Sequence, residues 1–283
     1  MPSTAYPARR RIPVARIAVV VLLLLVLVAY VFPYAYLLGT SFKQSGATLG
    51  VPPSILPPVW SLDNYTGLGN HPEIPQTFVN SLAIAVLSTL LALVLGVPAA
   101  YAISWYGTGA GRVFFVIALV VRMVPSVSIA IPLFLMLGRL GLIDSWIGVA
   151  LAHTTINLPL SIWLLAGFFE SVPHELEEAA RVDGCSRIGA LVRIIVPVMV
   201  GGIAVTAVFA FLASWNEYLF ALLLTTNKAQ TVPVLIAGFN TQYGVDWGLM
   251  TALSVLYSLP VVLLSIGLQR KVVAGMTMGA VKG

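Results

Sequence analysis

The chain has 283 residues, 59% of them hydrophobic and only 9% charged, with 15 Lys and Arg against 10 Asp and Glu. A soluble domain carries about 25% charged residues, so a water-facing globular architecture is excluded for most of the chain. The single cysteine, Cys185, excludes an intrachain disulfide.

The N-terminus reads ARRRIPVARIAVVVLLLLVLVAYVFPYAYLL. A basic stretch before an apolar run resembles a secretory signal. The run from Val14 to Leu38 is about 25 residues, however, against 7–15 in a signal's apolar region, and no small-x-small cleavage site follows it. It is read as an uncleaved membrane-spanning helix. Five further apolar runs reach the roughly 20 residues that a bilayer requires: 78–103, 113–138, 147–169, 198–224 and 248–268. No strand is expected, because an open sheet cannot satisfy its backbone in lipid. No internal repeat is visible. The first long loop, Lys43 to Thr77, holds six prolines in GVPPSILPPVW and NHPEIPQ, which predicts an extended rather than helical course. Asp63 and Asn64 are expected as turn or cap formers.

Lys and Arg set the orientation. With a cytoplasmic N-terminus and six crossings, Arg9, Arg10, Arg11, Arg16, Arg112, Arg181, Arg187, Arg193, Arg270, Lys271 and Lys282 lie inside. Lys43, Arg139 and Lys228 lie outside, and Arg122 falls within a span. Eleven against three is a strong positive-inside bias. The net charge of +5 is therefore a topological signal and not a nucleic-acid footprint. The fold class expected is an all-α integral membrane protein of six transmembrane helices with both termini cytoplasmic. Residues 1–13 are a cytoplasmic segment and 14–283 a transmembrane domain.

In that arrangement the largest cytoplasmic loop, 171–197, is also the most charged, with ELEEAARVDGCSRIGALVRIIVP from Glu175 to Pro197. Pro173 suits a first helical turn, where its missing N–H costs nothing. Glu175, Glu177 and Glu178 follow where the helix dipole favours acids, and Ala179 and Ala180 are strong helix formers. Gly184 can take the positive φ that ends a helix. Ser186 can cap a second short helix running to Ile195. Leu176, Ala180, Ile188, Leu191 and Ile194 supply apolar faces for a partner or for the bundle. The residues by themselves predict an ordered, charged, cytoplasmic docking element.

The pattern Glu178-Ala179-Ala180, three residues, Gly184, nine residues, Ile194, one residue, Val196-Pro197 resembles the EAA motif of ABC importer permeases. Val196 in place of Leu is the one departure. NSLAIAVLSTLLALVLGVPAAYA, RMVPSVSIAIPLF, NLPLSIWLLAGFF, SWNEYLFALLLT and the tail RKVVAGMTMGAVKG are similar to the maltose-type second permease subunit of the carbohydrate branch. The resemblance implies that the loop is a coupling helix seated in a cleft of a cytoplasmic ATP-binding subunit. Glu178 would pair with a basic residue there, Gly184 would set the bend, and Ala179 and Ala180 would permit close approach, with Ile194 and Pro197 completing the motif. It further implies two copies of that ATPase carrying ATP and Mg2+, a second permease of six to eight helices, and an extracytoplasmic binding protein. The implied cargo is a di- or oligosaccharide, with a polyol or glycerol phosphate as the alternative.

The chain has no Gly-x4-Gly-Lys-[Ser/Thr], no Gly-x-Ser-x-Gly and no zinc spacing among His71, His153, His174 and Cys185. No cofactor, metal or catalytic residue is expected in it, and ATP hydrolysis belongs to a partner.

Polar groups inside spans are costly and usually face the bundle interior or a cavity. At about 1.5 Å per residue, Arg122 lies about 14 Å deep and Asn157 about 15 Å, near one level. His153 at about 9 Å and Glu217 at about 10 Å share another, nearer the outside. His153 and Asn157 stand on one face of their helix. Arg122, His153, Asn157, Asn216 and Glu217 are candidate pathway or gate residues, with cross-helix hydrogen bonding as the structural reading. Trp215 is an interface anchor or a sugar-stacking surface. Pro125, Pro132 and Pro159 are packing residues or hinges. Two rival classes stay open: a stand-alone secondary transporter, and an intramembrane enzyme using His153 with Glu217.

Overall fold

A computed structural model describes residues 14–44, 48, 54–107, 109–242 and 244–280. The proposed cytoplasmic segment 1–13 and Lys282 lie outside the described residues, as does most of the proline-rich stretch before Ser54. The chain forms two compact units, Met1–Asn70 with Asp246–Val255, and His71–Val245 with Leu256–Gly283.

The first unit is built on α1 (Val14–Ser41). Its side chains from Val19 to Phe32 are exposed almost throughout, as an all-apolar helix facing lipid requires. Its last residues are buried against α2 (Asp63–Gly67). Asn64 donates to the carbonyls of Ser41 (3.0 Å) and Lys43 (2.8 Å), and Lys43 Nζ donates to Ser54 O at 2.7 Å. This corrects the expectation of an extended loop. The prolines flank α2 and the 3-10 turn Leu68–Asn70, leaving 63–70 free to coil. Asn64 is a buried clamp rather than a cap.

The second unit centres on three helices, α3 (Ile74–Tyr106), α6 (Trp146–Phe169) and α10 (Val200–Trp215). Pro75 sits in the first turn of α3, where it is tolerated. Between α3 and α6 lie α4 (Gly109–Arg122) and α5 (Ser126–Arg139). The run 113–138 is therefore not one helix. Pro125 precedes α5 in extended backbone, φ −54° and ψ 129°, because its ring and missing N–H break the ladder. Pro132 and Pro159 lie inside α5 and α6.

Between α6 and α10 come α7 (Glu175–Val182), α8 (Arg187–Ala190), a π turn (Leu191–Ile195) and α9 (Val196–Val198). Residues Arg187–Val198 meet Val200–Trp215 at 81°. Pro197 cannot donate to the carbonyl one turn back and crowds it, so the backbone widens and turns. The run 198–224 is also interrupted, because α10 ends at Trp215 and a short α11 (Leu219–Leu224) restarts after three residues. Then follow α12 (Val232–Gly238), a hairpin of β1 (Asn240–Thr241) and β2 (Gly244–Val245), and α13 (Trp247–Ala280). The hairpin corrects the expectation of no strand. Its residues are mostly exposed, outside the long apolar helices, where free strand edges can be solvated. Among the described residues four helices can span a bilayer singly, and two bent pairs raise this to six if each is one span.

Candidate functional site

The loop between α6 and α10 is anchored at its base and exposed at its tip. The base packs on the C-terminal end of α3. Ala100, Tyr101, Phe169, Leu191, Ile195 and Met199 share one buried cluster with their neighbours on α6. Trp105 Nε1 donates to Phe169 O at 3.1 Å, and its ring lies 4.4 Å from that of His174. Glu177 is buried and accepts the Tyr106 hydroxyl at 2.7 Å. That hydroxyl stands 2.9 Å from Tyr101 Oη, and the Arg187 guanidinium caps the Tyr106 ring at 4.8 Å.

The turn follows the sequence rules locally. Gly184 has φ +89°, and the backbone N–H of Cys185 reaches back to Ala180 O at 3.0 Å, closing α7 as a left-handed residue allows. Ser186 Oγ accepts Gly189 N at 3.1 Å and caps α8. Pro173 lies two residues before α7, just ahead of the N-cap His174 rather than within the first turn. Glu178 and Ala179 are exposed and Ala180 is buried. Ile194 is half-buried and Pro197 exposed. Leu176, Ala180 and Leu191 turn inward, whereas Val182 (87%), Ile188 (75%) and Val192 (59%) stand exposed beside Arg181, Arg187 and Arg193.

At the other end of the same helices a set of buried polar groups joins α6 to α10. His153 Nδ1 lies 2.7 Å from Ser214 Oγ, and its Nε2 is 3.0 Å from Glu217 Oε2, a close polar contact off the line of a hydrogen bond. Glu217 also accepts Phe220 N (2.9 Å) and Ala221 N (3.1 Å). These are first-turn donors of α11, so its carboxylate holds the break open. Asn157 donates to Ser88 Oγ and Ala210 O, both at 3.2 Å, binding α3, α6 and α10 together. Asn216 is exposed and donates to Leu212 O at 2.8 Å.

The structure does not bring Arg122 to Asn157. Arg122 is the exposed last residue of α4, with no ion pair among the described residues. Nor is Trp215 free to stack on a sugar. It is buried, with Tyr257 stacked on it at 4.6 Å and 7° and Phe211 at 5.5 Å and 22°. The Tyr257 hydroxyl donates to Trp215 O.

One device escaped sequence reading. Asp144 holds φ 55° and accepts the backbone N–H groups of Thr226 (3.1 Å), Asn227 (3.3 Å), Lys228 (3.1 Å) and Ala229 (3.0 Å), plus the Thr226 hydroxyl (2.7 Å). Partial burial raises its pKa, but these hydrogen bonds outweigh that and hold it well below the ordinary carboxylate range. Asn80 assists by donating to the carbonyls of Lys228 (3.0 Å) and Gln230 (2.8 Å).

Residues 92–277 match the family model of the binding-protein-dependent transport system inner membrane component. The chain belongs to that family. The permease is 37% identical over 254 residues to a probable ABC transporter permease protein of Sinorhizobium fredii, covering 89% of this chain and 91% of the relative. It is 37% identical over 232 residues to the trehalose transport system permease of Mycobacterium tuberculosis, covering 81% and 85%. The trehalose/maltose transport system permease of Thermococcus litoralis is 35% identical over 256 residues, covering 89% and 91%. In fold it is similar to a chain of a bacterial ABC transporter that imports the acidic polysaccharide alginate, with a TM-score of 0.75 at 23% identity over 94% of this chain and 99% of that one. The permease is a multi-pass inner-membrane component of an ABC importer. Its family supplies the membrane component and not the catalytic one. These findings favour the importer over a self-sufficient transporter or an intramembrane enzyme.

Proposed function

We infer that the permease crosses the membrane six times, with α4 and α5 together making one crossing, α10 with α11 making another after the cytoplasmic loop, and both termini in the cytoplasm, and that it supplies half of a sugar pathway. The observation that carries the reading is the loop after α6. A buried base fixed by Glu177 and Tyr106 presents an exposed tip of Val182, Ile188 and Val192 among arginines. Exposed apolar side chains rimmed by charge mark a protein-binding surface. The occupant is the cytoplasmic ATPase, two copies of which bind ATP and Mg2+. A second permease completes the pathway, and an external binding protein delivers the cargo. Relatives named for trehalose, for trehalose and maltose, and for diacetylchitobiose support a di- or oligosaccharide. The mechanism is alternating access. Closure of the ATPase dimer moves the loop, and the pathway opens outward, with Glu217 and His153 at the outer closure.

The test is recovery of the ATPase with the purified permease, together with uptake. Glu178→Ala, Ile188→Asp and Gly184→Val leave membrane insertion intact. Each lowers ATPase recovery and uptake about tenfold, the effect of losing ~1.4 kcal/mol at an interface. Unchanged recovery in all three variants overturns the docking assignment.

A further inference from the structure

The polar contacts between α6 and α10 are spaced as a ladder. His153 and Asn157 stand four residues apart on one face of α6. Ala210 and Ser214 stand four apart on the antiparallel α10, and each rung joins one residue of each pair: Asn157 to Ala210 O at 3.2 Å, His153 to Ser214 Oγ at 2.7 Å. Glu217 adds a third rung beyond the end of α10 by its 3.0 Å contact with His153. His153, Asn157 and Ser214 are 1%, 3% and 4% exposed. In so dry an interface no water replaces a broken hydrogen bond, and a slide of one helix along the other would leave several groups unpaired at once. The two helices therefore move together.

They are also joined at their other end, by the loop 171–197. We propose that His153, Asn157 and Glu217 are positioning residues that make α6, the loop and α10 one rigid lever, carrying displacement of the loop to the α10–α11 break. The span of α6 from His153 to Phe169 makes that a reach of about 24 Å. This rests on reading the loop as the ATPase dock, and it adds that transmission needs no sliding between the two flanking helices.

The experiment uses the assembled transporter in proteoliposomes, with ATPase recovery, ATP hydrolysis and uptake measured on one preparation. His153→Ala and Asn157→Leu keep the ATPase attached and hydrolysing, while uptake per ATP falls about 5- to 100-fold, the usual range of a lost coupling. Glu217→Gln, which keeps the cap on α11, falls less than Glu217→Leu. A second measurement replaces the rung with a covalent one. In a Cys185→Ser background, His153→Cys with Ser214→Cys is oxidised to link α6 to α10, and uptake persists because the lever stays rigid. The proposal is overturned if His153→Ala and Asn157→Leu transport at the parental uptake per ATP. It is equally overturned if these variants lose the ATPase, or if oxidation of the cysteine pair stops uptake that reduction restores. ATPase retained by Glu178→Ala bears on the docking reading alone.

Discussion

The Tyr106 hydroxyl donates to Oε1 of Glu177 at 2.7 Å, fastening the last residue of α3 to α7, the first helix of the loop between α6 and α10. Two helices of the bundle continue into that loop covalently. This contact ties in a third, whose sequence position gives no hint of it. The loop thus has a floor, and its exposed residues are held where a partner can find them.

Tyr106→Phe leaves the Glu177 carboxylate buried without its donor. Hydrogen bonds to charged groups contribute about 1.5–3 kcal/mol. The exposed side of Tyr106 places this contact near the lower figure, since water there offsets part of the loss. Thermal unfolding of the purified permease is expected several degrees lower in Tyr106→Phe. Glu177→Gln is milder, because an amide oxygen still accepts the hydroxyl. Equal stability of all three proteins would show that the contact does not hold the loop.

The turn of the loop between α6 and α10 was legible in the sequence because its determinants are local. A glycine after an alanine-rich acidic helix, followed by serine, specifies its own backbone, and Gly184 and Ser186 behave accordingly. The long apolar runs were legible for the same reason. The interruption of the fifth run was not. In SWNEYLFALLLT the polar Asn216 and Glu217 are followed at once by a new apolar stretch, so the run reads on past them, while the break depends on Glu217 turning its carboxylate onto Phe220 and Ala221 and toward His153. Asp144 was missed likewise, since its partners begin 82 residues on and its own neighbourhood reads only as a helix start.

Adjacent glycines at the start of α10 separate packing from propensity. A Cβ on Gly202 would stand 2.5 Å from Phe168 Cγ, whereas one on Gly201 would meet nothing within 4 Å. Gly202→Ala therefore forces the α6–α10 crossing apart, at about 1–3 kcal/mol for overpacking. Gly201→Ala gains helix propensity of about 0.5–1 kcal/mol. Thermal denaturation of the two variants is expected to shift in opposite directions. Similar losses in both would remove the Phe168 contact as the cause.

Orientation can be read with reporters. Fusions at Ser186 and after Gly283 are expected to report cytoplasm and one at Gly69 the outside, in line with the distribution of Lys and Arg. An external report from Gly283 would mean that one of the bent pairs, α4 with α5 or the loop with α10, enters and leaves the membrane on the same side.

Asp144 gives the permease an acid-sensitive clamp. Its folded pKa lies below the ordinary carboxylate value because the hydrogen bonds from 226–229 favour the charged form over the cost of burial. A depressed carboxylate stabilises the fold fully above its unfolded pKa, near 4, and that stabilisation is lost as pH falls below this value. Asp144→Asn retains an acceptor and tolerates the left-handed backbone, but it lacks the charge that strengthens each contact. The variant is expected to be about 1–3 kcal/mol less stable at neutral pH, with segment 225–232 exchanging its amide hydrogens faster. Because the wild-type carboxylate is protonated in acid, the two proteins converge as pH is lowered from about 4. Hydrogen exchange across that range checks both parts at once. A constant difference between the proteins at every pH would show that shape, and not charge, makes the clamp.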